Sequence, residues 1–180
     1  MPAQRALLPD GRRHFQHGPI DLVIGAEGAS QAVQAAHESA WRRFETILDE
    51  LVGELALLRT PLRTGAECPL QGAVARRMWL ACAPFAAGFI TPMAAVAGAV
   101  AQEIIASYER AGIERAWVNN GGDIALHLAP GASVKVGLFA DLSALDPRTL
   151  ADLPIDADME VDAALPVRGI ATSGWRGRSF

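Results

Sequence analysis

From Val33 to Leu58 apolar residues return at every third or fourth position: Val33, Ala36, Ala40, Trp41, Phe44, Ile47, Leu48, Leu51, Val52, Leu55 and Leu58. That period is one face of a long α-helix, with Glu38, Arg42, Glu45, Asp49 and Glu54 largely on the other face. A helix this long with a single apolar side needs a partner surface. Trp41 and Phe44 fall on that side at core spacing, so they read as core residues rather than a cofactor box.

The partner surface is legible on both flanks. Arg12 to Gln16 and Ile20 to Ile24 are short strand-like runs split by His17-Gly18-Pro19, which predicts a hairpin. Gly25 to Gly28 ends the second run, and Ser30 is placed to cap the long helix. After a Pro- and Gly-rich linker at Thr60 to Pro69, a second helix is expected from Leu70 to Ala81. A third runs from just after Pro92, through Ala94, to Tyr108 and stops at Gly112. The period then changes to that of strands at Ala116 to Asn119, Ile124 to Leu128 and Val134 to Phe139. Asp141 to Val161 is acidic and aperiodic, which predicts a surface loop with a short helix. Pro166 to Thr172 and Arg178 to Phe180 read as two more strands. The expected class is α/β (α+β): one domain over residues 1–180, with a mostly antiparallel sheet packed against a long N-terminal helix and two alanine-rich helices.

Composition narrows the function. At 180 residues the chain can bury roughly 70% of its unfolded surface. It is 51% hydrophobic and 20% charged, which is globular. A net charge of -4 and a pI near 5.5 give no electrostatic footprint for nucleic acid. Met78 to Gln102 carries no charge and is long enough to span a bilayer, but Pro84, Gly88, Pro92 and Gly98 interrupt it. Two buried helices joined by a loop account for it better than a membrane span. Cys68 and Cys82 form neither a disulfide framework nor a zinc spacing. Met1 to Arg13 lacks the apolar core of a secretory signal, so the expected location is cytoplasmic. The histidines, His14, His17, His37 and His127, are dispersed, and each is expected at the surface or hydrogen-bonded.

Three places have residues suited to a ligand. In the first, Asn119-Asn120-Gly121-Gly122-Asp123 follows a strand; the glycines let backbone amides approach a ligand, and the side chains add polar groups at the strand end. The same residues also describe a hairpin turn with a structural aspartate. The second is Gly169 to Arg178, where Thr172, Ser173 and Gly174 make a bend with free donors and Arg176 and Arg178 are suited to phosphate. A Gly-rich hairpin with solvated arginines is the alternative there. At the third, Met93 to Gly98 puts small residues at a helix start, which suits either a phosphate or close helix packing.

Taken in order, Ala94 to Gly98, Gly121-Gly122-Asp123 and Ala171-Thr172-Ser173-Gly174 resemble the motifs of the ApbE-like superfamily. Gly11-Arg12-Arg13 and Trp175 to Phe180 are similar to an uncharacterised cytoplasmic branch of it. The resemblance implies FAD:protein FMN transfer with Mg²⁺, and a flavin or nucleotide as the small-molecule partner. It implies a cofactor site at Asn119, Asn120, Gly121, Gly122, Asp123, Thr172, Ser173, Gly174 and Arg176, with the Ala95 carbonyl reaching the metal. A non-catalytic binding or assembly module on the same fold, possible as a homo-oligomer, is the other expectation. Two positions depart from the pattern: Pro92 stands where the transferases carry an aspartate, and Gly98 where they carry a lysine. The family's other metal ligands, an Asp and a Thr, come from a final helix beyond the Ala-Thr-Ser-Gly strand, and the chain ends at Phe180 before it. Transfer chemistry is therefore expected only in a longer form.

Overall fold

The computed structural model describes residues 2–138, 157–165 and 168–171. Six strands form one antiparallel sheet: β1 (Gln4–Leu7), β2 (Arg13–His17), β3 (Ile20–Gly28), β4 (Ile113–Asn120), β5 (Asp123–Leu128) and β8 (Gly169–Ile170), in the spatial order β1-β2-β3-β4-β5-β8. β6 (Ser133–Leu138) and β7 (Ala157–Asp162) pair as a separate antiparallel ribbon. This is the mixed α/β class expected from the sequence. β1 was not anticipated: all four of its residues are exposed, so it has no alternation to read. The strand at Ala157–Asp162 also corrects the expectation of an aperiodic loop up to Val161, because pairing with β6 rather than an apolar period makes it a strand.

The long amphipathic stretch forms α1 (Ser30–Gly53) and a single further turn, α2 (Leu55–Leu58). Ala36, Ala40, Phe44, Ile47 and Leu51 are buried against the sheet, with Trp41 and Leu48 packed on their flank. Val52 is exposed, contrary to the periodic reading, because the helix ends there and the stripe drifts off the core. The break lies at Gly53, a weak helix former, and Glu54. It frees the Glu54 carboxylate to accept the Gln71 and Gly72 N–H groups, both at 2.7 Å, which cap the start of α3 (Ala73–Cys82). Ser30 is not the cap of α1. Strand β3 runs on to Gly28, so Ala29 becomes the cap residue, and its N–H donates to the Gly112 carbonyl at 2.8 Å.

After α3 come two 3₁₀ turns, Ala83–Phe85 and Pro92–Ala95, each with Pro in its first turn. α4 (Val96–Ile105) and a 3₁₀ turn at Ala106–Tyr108 follow, and the run stops at Gly112 with φ +86°. Among the described residues no helix is long and apolar enough to cross a membrane.

Residue alternation along the sheet separates two cores. Ile20, Leu22 and Ile24 of β3 and Ala116 and Val118 of β4 face the helices with Phe15, Met78, Val100, Ile104 and Tyr108. On the opposite face Leu126 and Leu128 meet Val161 of the ribbon, with Trp117, Val134 and Ile170 around them. Gly25 lies across from Trp117, and any β-carbon there would fall inside the indole.

Candidate functional site

Two glycines make the turn that matters most. Asn120 and Asp123 pair across β4 and β5, leaving Gly121 (φ +60°) and Gly122 (φ +100°) as a two-residue hairpin loop. Positive φ at both central residues is the geometry that Gly-Gly supplies without strain. The Asn119 side-chain oxygen accepts the Gly122 N–H at 2.7 Å, and the Asn120 side-chain amide donates to the Ala97 carbonyl at 3.1 Å. Both asparagines therefore serve the architecture: one closes the turn, and the other, buried, ties the strand end to the first turn of α4. The hairpin alternative holds for these two side chains.

Asp123 is different. Strand pairing with Asn120 puts it on the helix face, and its Oδ2 lies 3.6 Å from where a β-carbon on Gly98 would stand. Among the described residues no hydrogen bond reaches its carboxylate. It opens instead on a cavity of about 590 Å³. Gly98, Ala94 and Ala95 supply the roof, Ala81 and Arg77 of α3 one side, and β5 with Gly169, Ile170 and Ala171 the floor. The helix start and the Asp123 turn, singled out separately in the sequence, thus share one cavity with the strand that leads towards Thr172. Thr172, Ser173, Gly174 and Arg176 lie outside the described residues.

Four charged or polar side chains of this wall were not anticipated: Arg77, Gln102, Glu109 and Arg168. Glu103 gives the signal that was missed for Arg77, since a lone acid in the apolar run Val96 to Ile105 needs a cation. Glu103 accepts from Arg43 and from Arg77, each at 2.7 Å, and Arg43 also grips Glu50. Burial works against the Glu103 carboxylate, but hydrogen bonds from Arg43 and Arg77 outweigh it and hold its pKa below the ordinary range. Arg77 thus reaches the cavity with its charge already committed. Arg168 is committed too: its guanidinium donates to the carbonyls of Leu165, Leu128 and Ala163 at 2.8, 3.0 and 3.1 Å, lashing the ribbon to β5.

The resemblance implies a Mg²⁺ ion, and the donor set tests the fit. Asp123 and Glu109 are the carboxylates on the wall. Among the described residues no group of three or more His, Cys, Asp or Glu side chains is placed to hold a metal. Mg²⁺ is held by one or two carboxylates gathered on the ion, with water and phosphate completing its octahedron, and the Ala95 carbonyl adds at most one neutral oxygen. The described residues do not make a Mg²⁺ site. Cys82 is not a ligand candidate either: it is buried, its Sγ donates weakly to the Pro92 carbonyl, and burial raises its pKa.

The fold and cavity define a class: an α+β protein with a ligand-sized pocket at one end of an antiparallel sheet, between a small-residue helix start and a Gly-Gly-Asp turn. The family model described as "AbpE bacteria" matches residues 5–180, and the chain belongs to that family. No curated protein matches it.

Proposed function

We propose that the protein binds a flavin or a nucleotide in the cavity beside Asp123, as an ApbE-like protein whose described residues support binding rather than metal-dependent transfer. The observation that carries this reading is the convergence of Ala94, Ala95 and Gly98, Asp123 and Gly169 to Ala171 on one cavity of about 590 Å³. That volume lies within the ordinary range for small-molecule sites. Alanine and glycine on the α4 side leave room for a flat ring to slide between helix and sheet. Transfer of FMN would require more anionic oxygens around a cation than Asp123 and Glu109 supply.

Titration of the purified chain with FAD, FMN and ATP, followed by calorimetry and flavin fluorescence, tests the reading. Saturable binding is expected, and Gly98→Leu, which fills the roof, is expected to weaken it at least tenfold while the protein stays folded. Binding that ignores Gly98→Leu would move the ligand elsewhere. With FAD, Mg²⁺ and a Ser/Thr acceptor peptide, no added FMN mass is expected; robust labelling would overturn the binding-only reading.

A further inference from the structure

At the other end of the sheet, the helix-facing side of β1 and β2 is charged where an apolar face would be usual. Arg5 pairs across from Phe15 and Leu7 from Arg13, so both arginines share the face of buried Phe15 and overhang α1. Between them and the helix lies a pocket of about 240 Å³ lined by Arg5, Ala6, Leu7, Arg13, Phe15, His37 and Glu38.

Arg5 is accounted for. It donates to Glu38 at 2.8 Å and lies over the Trp41 ring at 5.2 Å, and an inward charge on an edge strand also discourages edge-to-edge pairing. Arg13 is not. It lies on an interior strand, its Nε is buried without any hydrogen-bond partner, and among the described residues it forms no ion pair. A guanidinium N–H removed from water with no acceptor is a costly arrangement, and an acceptor in the pocket relieves it.

His37 supplies a second donor to the same space. It is buried, and its Nδ1 stands 2.7 Å from the hydroxyl of fully buried Tyr108. Among the described residues His37 is the hydroxyl's one partner. The phenolic proton therefore goes to Nδ1, because the reverse arrangement would leave a buried O–H with no acceptor. That tautomer puts the imidazole proton on Nε2, an N–H donor on the ring that lines the pocket. The charged side chains on the pocket are two guanidiniums and one carboxylate, and the Glu38 carboxylate is already engaged by Arg5. The balance favours an anion.

We propose that this pocket binds a small oxyanion, a carboxylate or phosphate group, held by Arg13 and by the Nε2–H of His37, with Arg5 at its rim. It is separate from the Asp123 cavity and does not depend on the reading given to that cavity.

The test is an NMR titration of the full chain, following the histidine ring nitrogens, with sodium phosphate and sodium acetate against sodium chloride at fixed ionic strength and pH 7. In the free protein His37 is expected as the Nε2–H tautomer. Phosphate or acetate should shift its ring signals saturably, and chloride should not. A response to phosphate alone assigns a tetrahedral anion, and a response to acetate alone assigns a carboxylate. Arg13→Gln is expected to weaken binding at least tenfold. Arg13→Lys, which keeps the charge and loses the fork, should fall in between; it decides the matter if Arg13→Gln does not fold. Arg59→Gln, at an exposed position just after α2, should leave the response intact. An Nδ1–H tautomer, no saturable shift with either anion, or an undiminished response in folded Arg13 variants would overturn the proposal.

Discussion

The two ends of the six-stranded sheet face the same helical layer and solve opposite problems. At the β5–β8 end the helix start is stripped to alanine and glycine, and the two nearby arginines are committed to Glu103 and to backbone carbonyls. What remains open is volume and two carboxylates, Asp123 and Glu109. At the β1–β2 end the pocket is less than half the size, and its main feature is an arginine with nothing to pair with. Space without free positive charge suits a flat molecule; positive charge without space suits a small anion. Cavity size and charge commitment have to be considered together, since a count of arginines alone, two at each end, would not tell the ends apart.

The comparison presupposes that both pockets rest on one core, and the largest effect tests that. Leu51 is buried on the core face of α1, and Leu51→Ala is expected to cost about 2–5 kcal/mol. Leu126 belongs to the smaller cluster under the ribbon, where three buried residues meet. Leu126→Ala should fall at or below the lower end of that range. Urea denaturation of both variants checks this. An effect of Leu51→Ala below half a kilocalorie would put the α1 face in solvent and dissolve the shared core.

How far the sequence led depends on what each element needed. α1 was readable because burial on one side imposes a period, although its break at Gly53 and Glu54 was not. β4 and β5 were readable because the Asn-Gly-Gly-Asp turn lies between alternating runs. β1 and β7 were not, since edge pairing through backbone groups leaves little mark on side chains. The site divides in the same way. Asp123 and Gly98 stand in motifs and were singled out, although nothing in one dimension indicated that Gly98 stands over Asp123. Arg77 and Arg168 were missed because their partners lie on other elements, at Glu103 and at the Leu128 carbonyl. His37, expected at the surface or hydrogen-bonded, is buried and hydrogen-bonded: its place on α1 follows the helix stripe, and its polarity is satisfied by Tyr108, distant in sequence.

The second effect is a pH window that separates the two ends. Burial, and then the nearby Arg13 charge, push the pKa of His37 from 6.5 down to about 4. Arg5, Arg13, Glu38 and Tyr108 are the charged or titratable groups around it. Between pH 6.5 and about 4 the unfolded chain takes up a proton at this residue that the folded one refuses, so stability falls as pH falls, by about 1.4 kcal/mol per pH unit at most. Below about 4 both states are protonated and the loss levels off. Glu103, its pKa also depressed, contributes stability that is lost only at more acidic pH, as its carboxylate is protonated below 4.5. Denaturant midpoints measured from pH 7 to 4 should show the His37 loss first, and His37→Gln should flatten it. An anion in the Arg13 pocket favours the protonated imidazole, so saturating phosphate should narrow the window.

The smallest effect sharpens the contrast most at the β5–β8 end. Gly98 lies in the first turn of α4, and a β-carbon there meets the Asp123 Oδ2 at 3.6 Å, an ordinary contact. Alanine is the better helix former, so Gly98→Ala should raise stability by about 0.5 kcal/mol if the position has no other role. A glycine kept where alanine fits without strain leaves open space against Asp123, and in the reading proposed above that space belongs to a ligand. Gly98→Ala should therefore melt slightly higher than the parent and bind FAD or a nucleotide more weakly, by a factor of a few. The Arg13 pocket, at the far edge of the sheet, should respond to phosphate unchanged. If Gly98→Ala gains stability and loses no affinity, the roof of the cavity is close helix packing and nothing more. If it loses stability, the 3.6 Å contact is tighter than the geometry indicates, and the helix start is held against Asp123 for structural reasons alone.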